Sequence, residues 1–175
     1  SFARVCHRLD KETSGVLVMA RNERAYRNLS LQFQERKVRK IYHAIVGGKE
    51  NFDQLKVDLP LFIPGSGRVR VDKKLGKEAV TYLDTITIYR NCTLVQCVPV
   101  TGRKHQIRVH LSSIGHPIIA DDLYNGQSLY LSSLKKHYNP KQGIEKPLIQ
   151  RTALHARKIE FAGMDGNVIS LTAEY

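Results

Sequence analysis

Cysteine is scarce in this chain of 175 residues: Cys6, Cys92 and Cys97 are all it has. The set is odd and widely spaced, with neither a CxxC pair nor a secreted disulfide framework. Buried free thiols in a reducing cytosol are the expectation, and with them a cytoplasmic protein. No run of about 18 apolar residues is present, so no transmembrane helix is predicted. A signal peptide is not expected either, because the apolar start is short and is broken by Arg4 and His7. Three common chemistries lack their motifs: there is no P-loop, no GxGxxG dinucleotide turn and no GxSxG nucleophile elbow.

Acidic residues are outnumbered. Asp and Glu total 16 against 28 Lys and Arg, a net charge of +12. That excess favours a polyanionic partner, nucleic acid before membrane, over a merely basic soluble surface. What is present otherwise is ordinary for a globular chain, with 42% apolar residues. The length suits one domain over 1–175, burying roughly 70% of its unfolded surface without staples. Ser1 to His7 reads as a strand already under way, so a preceding segment is expected to be missing.

Hydrophobic spacing predicts the elements. GVLVMA (15–20) reads as a continuous buried strand. Asn22 is a helix N-cap with Glu23 in the first turn, and Ala25, Leu29 and Phe33 follow at helical spacing, predicting a helix over 23–36. Strands are predicted at 37–46, near 55–58 and 68–72, at 77–89 and 92–100 as a hairpin, and at 153–161 and 168–172 around an Asp165-Gly166 turn. A second helix is predicted over 105–114 from Ile107, Leu111 and Ile114, ending at Gly115. Residues 125–150 read as a polar, basic loop. Strands outnumber helices and mostly join as hairpins, which predicts an α+β fold with a mainly antiparallel sheet.

Two segments carry chemistry. In His7-Arg8-Leu9-Asp10-Lys11-Glu12-Thr13-Ser14-Gly15 a charged turn sits between apolar strands, where a sheet presents reactive side chains. The plain alternative is a polar hairpin whose Asp10 and Thr13 cap backbone groups. In Thr101-Gly102-Arg103-Lys104-His105-Gln106-Ile107-Arg108 a strand, a glycine turn and a helix start follow one another. Arg103, Lys104 and the helix N-terminus would form an anion site. Arg108 falls near the apolar face, would be partly buried and would want a carboxylate, with Asp10 as the candidate. His105 and His110 are about 140° apart on a helix and cannot easily share an ion, so no metal site is expected.

The stretch HRLDKETSGVLVMAR closely resembles the signature of the RluA-type pseudouridine synthases. RKIYHAIVGG (39–48), GKEAVTYLDTI (76–86), TGRKHQIRVHLSSIGHPIIADDLY (101–124) and LHARKIEF (154–161) resemble that family in the same order. The resemblance implies that the sheet is mixed, mainly antiparallel, with flanking helices. It implies isomerisation of uridine to pseudouridine in RNA by a chain that needs no cofactor and no metal; structured ribosomal or transfer RNA is the expected substrate, and a monomer is expected. The resemblance further implies that the family's opening strands precede Ser1. It also implies the catalytic set: Asp10 as the essential aspartate, Tyr42 from the KxYxA segment and Arg108 from HQxRxH. Arg8 would help displace the flipped base. Arg103 and Lys104 would contact RNA, with Lys135, Lys136, Lys141, Lys146 and Arg151 as further phosphate contacts.

The roles fit general chemistry. Glycosidic cleavage develops positive charge on the sugar, which a carboxylate stabilises or attacks. A flat ring with a hydroxyl suits the base and proton transfer. Two departures stand out, Lys104 in place of Thr or Ser and Ala120-Asp121-Asp122 in place of Gly-Asp-Pro. Two rivals stay open: a non-catalytic RNA-binding module retaining the fold, and a hydrolase that releases free uracil.

Overall fold

The computed structural model describes residues 3–65, 67–138 and 144–175. Ser1 of the predicted first strand, and Pro140 and Lys141 of the basic loop, lie outside them. The strands are β1 (Arg4–Val5), β2 (Ser14–Gly15), β3 (Met19–Ala20), β4 (Arg39–Gly47), β5 (Leu55–Asp58), β6 (Leu61–Phe62), β7 (Arg70–Val71), β8 (Val80–Ile88), β9 (Cys92–Pro99), β10 (Leu154–Ala162) and β11 (Val168–Thr172). The helices are α1 (Glu23–Gln34), α2 (Gln106–Ser113) and α3 (Leu131–Leu134), with a 3-10 turn at Asp122–Tyr124.

Each long element forms for a local reason. The Asn22 side chain accepts a hydrogen bond from the Ala25 N–H at 2.8 Å, satisfying one of the open donors of the first turn of α1. Leu29 is buried on the inner face of α1, with Ala25 and Phe33 half-buried beside it. The predicted hairpin is β8–β9, turning through 89–91, and a bulge between Thr85 and Thr87 shifts its register. The principal sheet has the order β11-β10-β4-β9-β8-β5, antiparallel at each step, and β2 adds to β10 in parallel. The fold is therefore α+β with a mainly antiparallel sheet, as the patterning predicts, and the parallel β2–β10 pair makes it mixed, as the resemblance implies.

Three expectations change. GVLVMA is not one buried strand: β2 joins β10 while β3 joins β1 in a separate small sheet. Its residues alternate, with Leu17 and Met19 about half exposed and Ala20 buried. The second helix starts at Gln106 because His105 has a left-handed backbone, φ 55°. Within the predicted loop 125–150, residues Leu131–Leu134 form the short α3.

One face of the sheet holds both long helices. Across β4 and β10 the paired residues are Ala44 with Leu154, Tyr42 with Ala156 and Lys40 with Ile159, and paired residues share a face. At one end of this face Ile159 packs against Leu29 and Val38 under α1. At the other, Ala44, Val46, Val95 and Leu154 pack against Ile107 and Leu111 of α2. Tyr42 and Lys40 lie between, where neither helix covers the sheet.

Candidate active site

The uncovered strip is the floor of a cleft of about 480 Å³, with Phe33 of α1 on one wall and Ile107 of α2 on the other. That volume lies in the usual range for small-ligand sites. Of the catalytic, base-flipping and helix-start residues singled out in the sequence, Arg8, Asp10, Tyr42, Arg103 and Lys104 line it. Arg108 sits just beneath, its side chain 10% exposed.

The turn bearing Asp10 is anchored on both flanks. Thr13 N–H bonds to the Asp10 carbonyl at 2.9 Å and closes the turn. The Glu12 carboxylate accepts from the Thr152 N–H at 3.2 Å and from its hydroxyl at 2.9 Å, and these bonds hold its pKa below the usual range. Ser14 Oγ and His155 Nδ1 are 2.7 Å apart. Gly15 has φ +112°, and a Cβ there would lie 2.2 Å from the Ala156 carbonyl oxygen. Only glycine fits so close a passage against β10. On the incoming side Val18 N–H donates to His7 Nε2 at 3.0 Å, and His7 stacks on Phe33. Asp10 itself caps no backbone group through its carboxylate among the described residues, so the plain hairpin reading does not account for it.

Arg108 is near Asp10, but Asp10 is not its main partner. Its Nε and Nη2 each donate at 2.7 Å to the two oxygens of Asp121, whose side chain is 1% exposed. Its Nη1 lies 3.7 Å from Asp10 Oδ2. The bidentate geometry favours Asp121, because a guanidinium fork matches both oxygens of one carboxylate. Its Cζ also lies 5.0 Å from the centre of the Tyr124 ring. Burial opposes the charge of Arg108, and Asp121 and then Asp10 oppose that effect, leaving its pKa raised.

Tyr42 is half-buried on the floor. Burial, and then the charge of Asp10, push its hydroxyl up to about 12, so it holds its proton at neutral pH. Lys40, two residues earlier on the same face, has its pKa lowered by burial. Arg8 is exposed at the rim. Arg103 Nε donates to the Glu78 carbonyl at 3.0 Å, and Lys104 is exposed. No side chain caps α2. His105 and His110 do diverge: His105 faces Asp10 across 3.9 Å, whereas His110 is buried between Thr81 and the Leu59 carbonyl.

The basic loop divides. Lys135, Lys136 and Lys146 are exposed. Arg151 instead bonds to the carbonyls of Glu12, Thr152 and Leu154 at 3.2 to 3.4 Å, and so braces the Asp10 turn. Lys40, His105, Asp121 and Tyr124 were not picked out as site residues from the sequence. For Lys40 a signal existed, since i and i+2 on a strand share a face with Tyr42. The Ala120-Asp121-Asp122 departure marked the place of Asp121, but nothing local tied it to Arg108.

A family profile described as RNA pseudouridylate synthase matches residues 2–113. Ribosomal large subunit pseudouridine synthase D of Zymomonas mobilis is 37% identical over 174 residues, covering 97% of this chain and 52% of that protein. The dual-specificity RNA pseudouridine synthase RluA of Haemophilus influenzae is 42% identical over 127 residues, covering 71% of this chain and 58% of that protein. Among solved structures, human RNA pseudouridylate synthase domain containing 1 superposes with a TM-score of 0.78 at 25% identity, covering 99% of this chain and 69% of that one. The chain spans a little over half the length of these two curated relatives.

Proposed function

This chain belongs to the RNA pseudouridylate synthase family, and from that premise we propose that it isomerises uridine to pseudouridine in structured ribosomal or transfer RNA of the cytoplasm. The observation that carries the reading is the single carboxylate of Asp10. It is presented by a turn anchored on β10, in a cleft of nucleotide size, with donors facing both of its oxygens.

A uridine in a folded RNA reaches such a cleft only when extruded from its stack. Arg8 at the rim is placed to fill the gap it leaves, its planar guanidinium stacking against the neighbouring bases. Inside, the bond between N1 and the sugar breaks and N1 takes the electron pair, while the Asp10 carboxylate faces the positive charge developing on the sugar. The uracil turns, C5 bonds to the same sugar carbon, the C5 proton leaves and N1 ends protonated. Tyr42 offers its ring to the base. Because its hydroxyl holds its own proton, it accepts the C5 proton only by passing that one on, which makes it a relay. Arg103, Lys104 and the exposed lysines of the basic loop supply phosphate contacts.

The test is mass spectrometry of ribosomal and transfer RNA transcripts after incubation with the chain and a pseudouridine-specific label. Labelled product without free uracil is expected, with none formed by Asp10→Asn although it still binds the RNA. Free uracil in the reaction, or turnover by Asp10→Asn, would overturn the reading.

A further inference from the structure

His105 occupies the left-handed region, φ 55° and ψ 20°, a conformation that glycine or asparagine adopts more cheaply than a bulky side chain. Such strain persists where the surroundings over-determine it. Here Tyr124 holds one ring nitrogen and Asp10 faces the other.

Nδ1 lies 2.8 Å from the Tyr124 hydroxyl oxygen. Burial pushes the Tyr124 phenol up to about 12, so it keeps its proton at neutral pH. A phenol that keeps its proton has that proton to give, and among the described residues Nδ1 is the one acceptor within hydrogen-bond reach of the Tyr124 hydroxyl, so Tyr124 donates to Nδ1. Neutral His105 must then carry its own proton on Nε2. Nε2 is the atom 3.9 Å from Asp10 Oδ1, while Arg108 Nη1 is 3.7 Å from Oδ2.

We propose that His105 is a positioning residue for Asp10: a neutral imidazole whose Nε2–H, fixed in that tautomer by Tyr124, holds Oδ1 and turns the remaining lone pairs of the carboxylate toward the sugar. The inference rests on Asp10 being the group that faces the sugar. Both contacts are longer than hydrogen bonds, and contacts of this kind tighten when substrate binds. The left-handed backbone at 105 goes with a ring that reaches both Tyr124 and the Asp10 turn.

The charge state agrees. Asp10, Arg108, Lys104 and Asp121 all act on the ring. Burial first, with Arg108 and Lys104, outweighs the two carboxylates and leaves its pKa lowered. A protonated ring could no longer accept from Tyr124 at Nδ1, and it would set a second cation beside Arg108.

Three variants separate positioning from packing. His105→Gly removes the donor but suits the left-handed backbone, His105→Asn suits it and keeps a shorter donor, and Tyr124→Phe keeps the ring under Arg108 but frees the tautomer. The expectation for His105→Gly is a kcat lowered about tenfold or more with KM for RNA within about twofold of wild type, partly recovered in His105→Asn. In Tyr124→Phe the acid limb of the kcat profile should move to higher pH, because the bond that favoured neutral His105 is gone. Long-range proton–nitrogen NMR of the wild-type chain should show the Nε2–H tautomer, a readout that needs no turnover. An Nδ1–H tautomer, or wild-type kcat in His105→Gly, would sink the inference while leaving an active isomerase. A wild-type chain that forms no pseudouridine overturns the isomerase reading, and the role of His105 with it.

Discussion

Arg108 gives two of its nitrogens to Asp121, each at 2.7 Å, and keeps only Nη1 for Asp10, 3.7 Å away. The buried pair is thus the clamp that sets where the third nitrogen points. Removing Asp121 alone strands a guanidinium that is mostly out of water, and breaking a buried pair this way typically costs about 3–5 kcal/mol. Asp121→Ala should therefore lower the urea midpoint sharply and reduce kcat in whatever fraction stays folded. A midpoint unchanged from wild type would show that Asp121 is not the clamp.

Tyr42→Phe should keep the stacked ring and lose the relay. We expect RNA binding near wild type and a block after the glycosidic bond breaks, visible as an altered or trapped nucleotide by mass spectrometry of the RNA. Full turnover in Tyr42→Phe would make the hydroxyl dispensable.

Arg8→Ala should hurt a structured stem-loop far more than a flexible oligonucleotide carrying the same target. Unstacking costs a few kcal/mol in paired RNA and less in a loose strand, so a residue that fills the vacated gap matters mainly in the first. Equal losses on the two substrates would make Arg8 a holder of phosphate or carboxylate and end the flipping assignment.

Acid should destabilise the chain in the range where histidines titrate, and His110 should account for much of it. Its ring is fully buried, its Nε2–H donating to the Leu59 carbonyl and its Nδ1 bonded to the Thr81 hydroxyl. Burial lowers its pKa from 6.5. The unfolded chain therefore binds a proton as pH falls through about 6.5 while native His110 does not, so unfolding is favoured increasingly below that pH. His7, His43 and His105, also lowered chiefly by burial, act in the same direction. Urea midpoints taken between about pH 8 and pH 5 should fall toward acid in wild type and fall less steeply in His110→Gln. Equal slopes in the two proteins would assign the effect to the other histidines.

Local chemistry carried much of the architecture. Asn22 caps α1 because a short acceptor side chain fits the open N–H groups of a first turn, and Leu29 and Phe33 face inward because 3.6 residues make a turn. The β8–β9 hairpin and the β10–β11 pair were legible from alternation and turn residues for the same reason. So were the two segments that line the cleft, since their residue types and their places at strand ends and a helix start are properties of neighbours in sequence. Partner choice was another matter. Arg108 was expected on Asp10 and does pair with it at 3.7 Å, but its two short bonds go to Asp121, because only the packed loop after α2 shows which carboxylate meets both arms of the fork. GVLVMA broke into two strands because its ends pair with different neighbours, β10 and β1, and no hydrophobic pattern states which edge is vacant. His105 in a left-handed turn, its ring between Tyr124 and Asp10, is decided wholly by the fold: a strained backbone is retained only when contacts from distant segments hold it, and those contacts exist only once the sheet has formed.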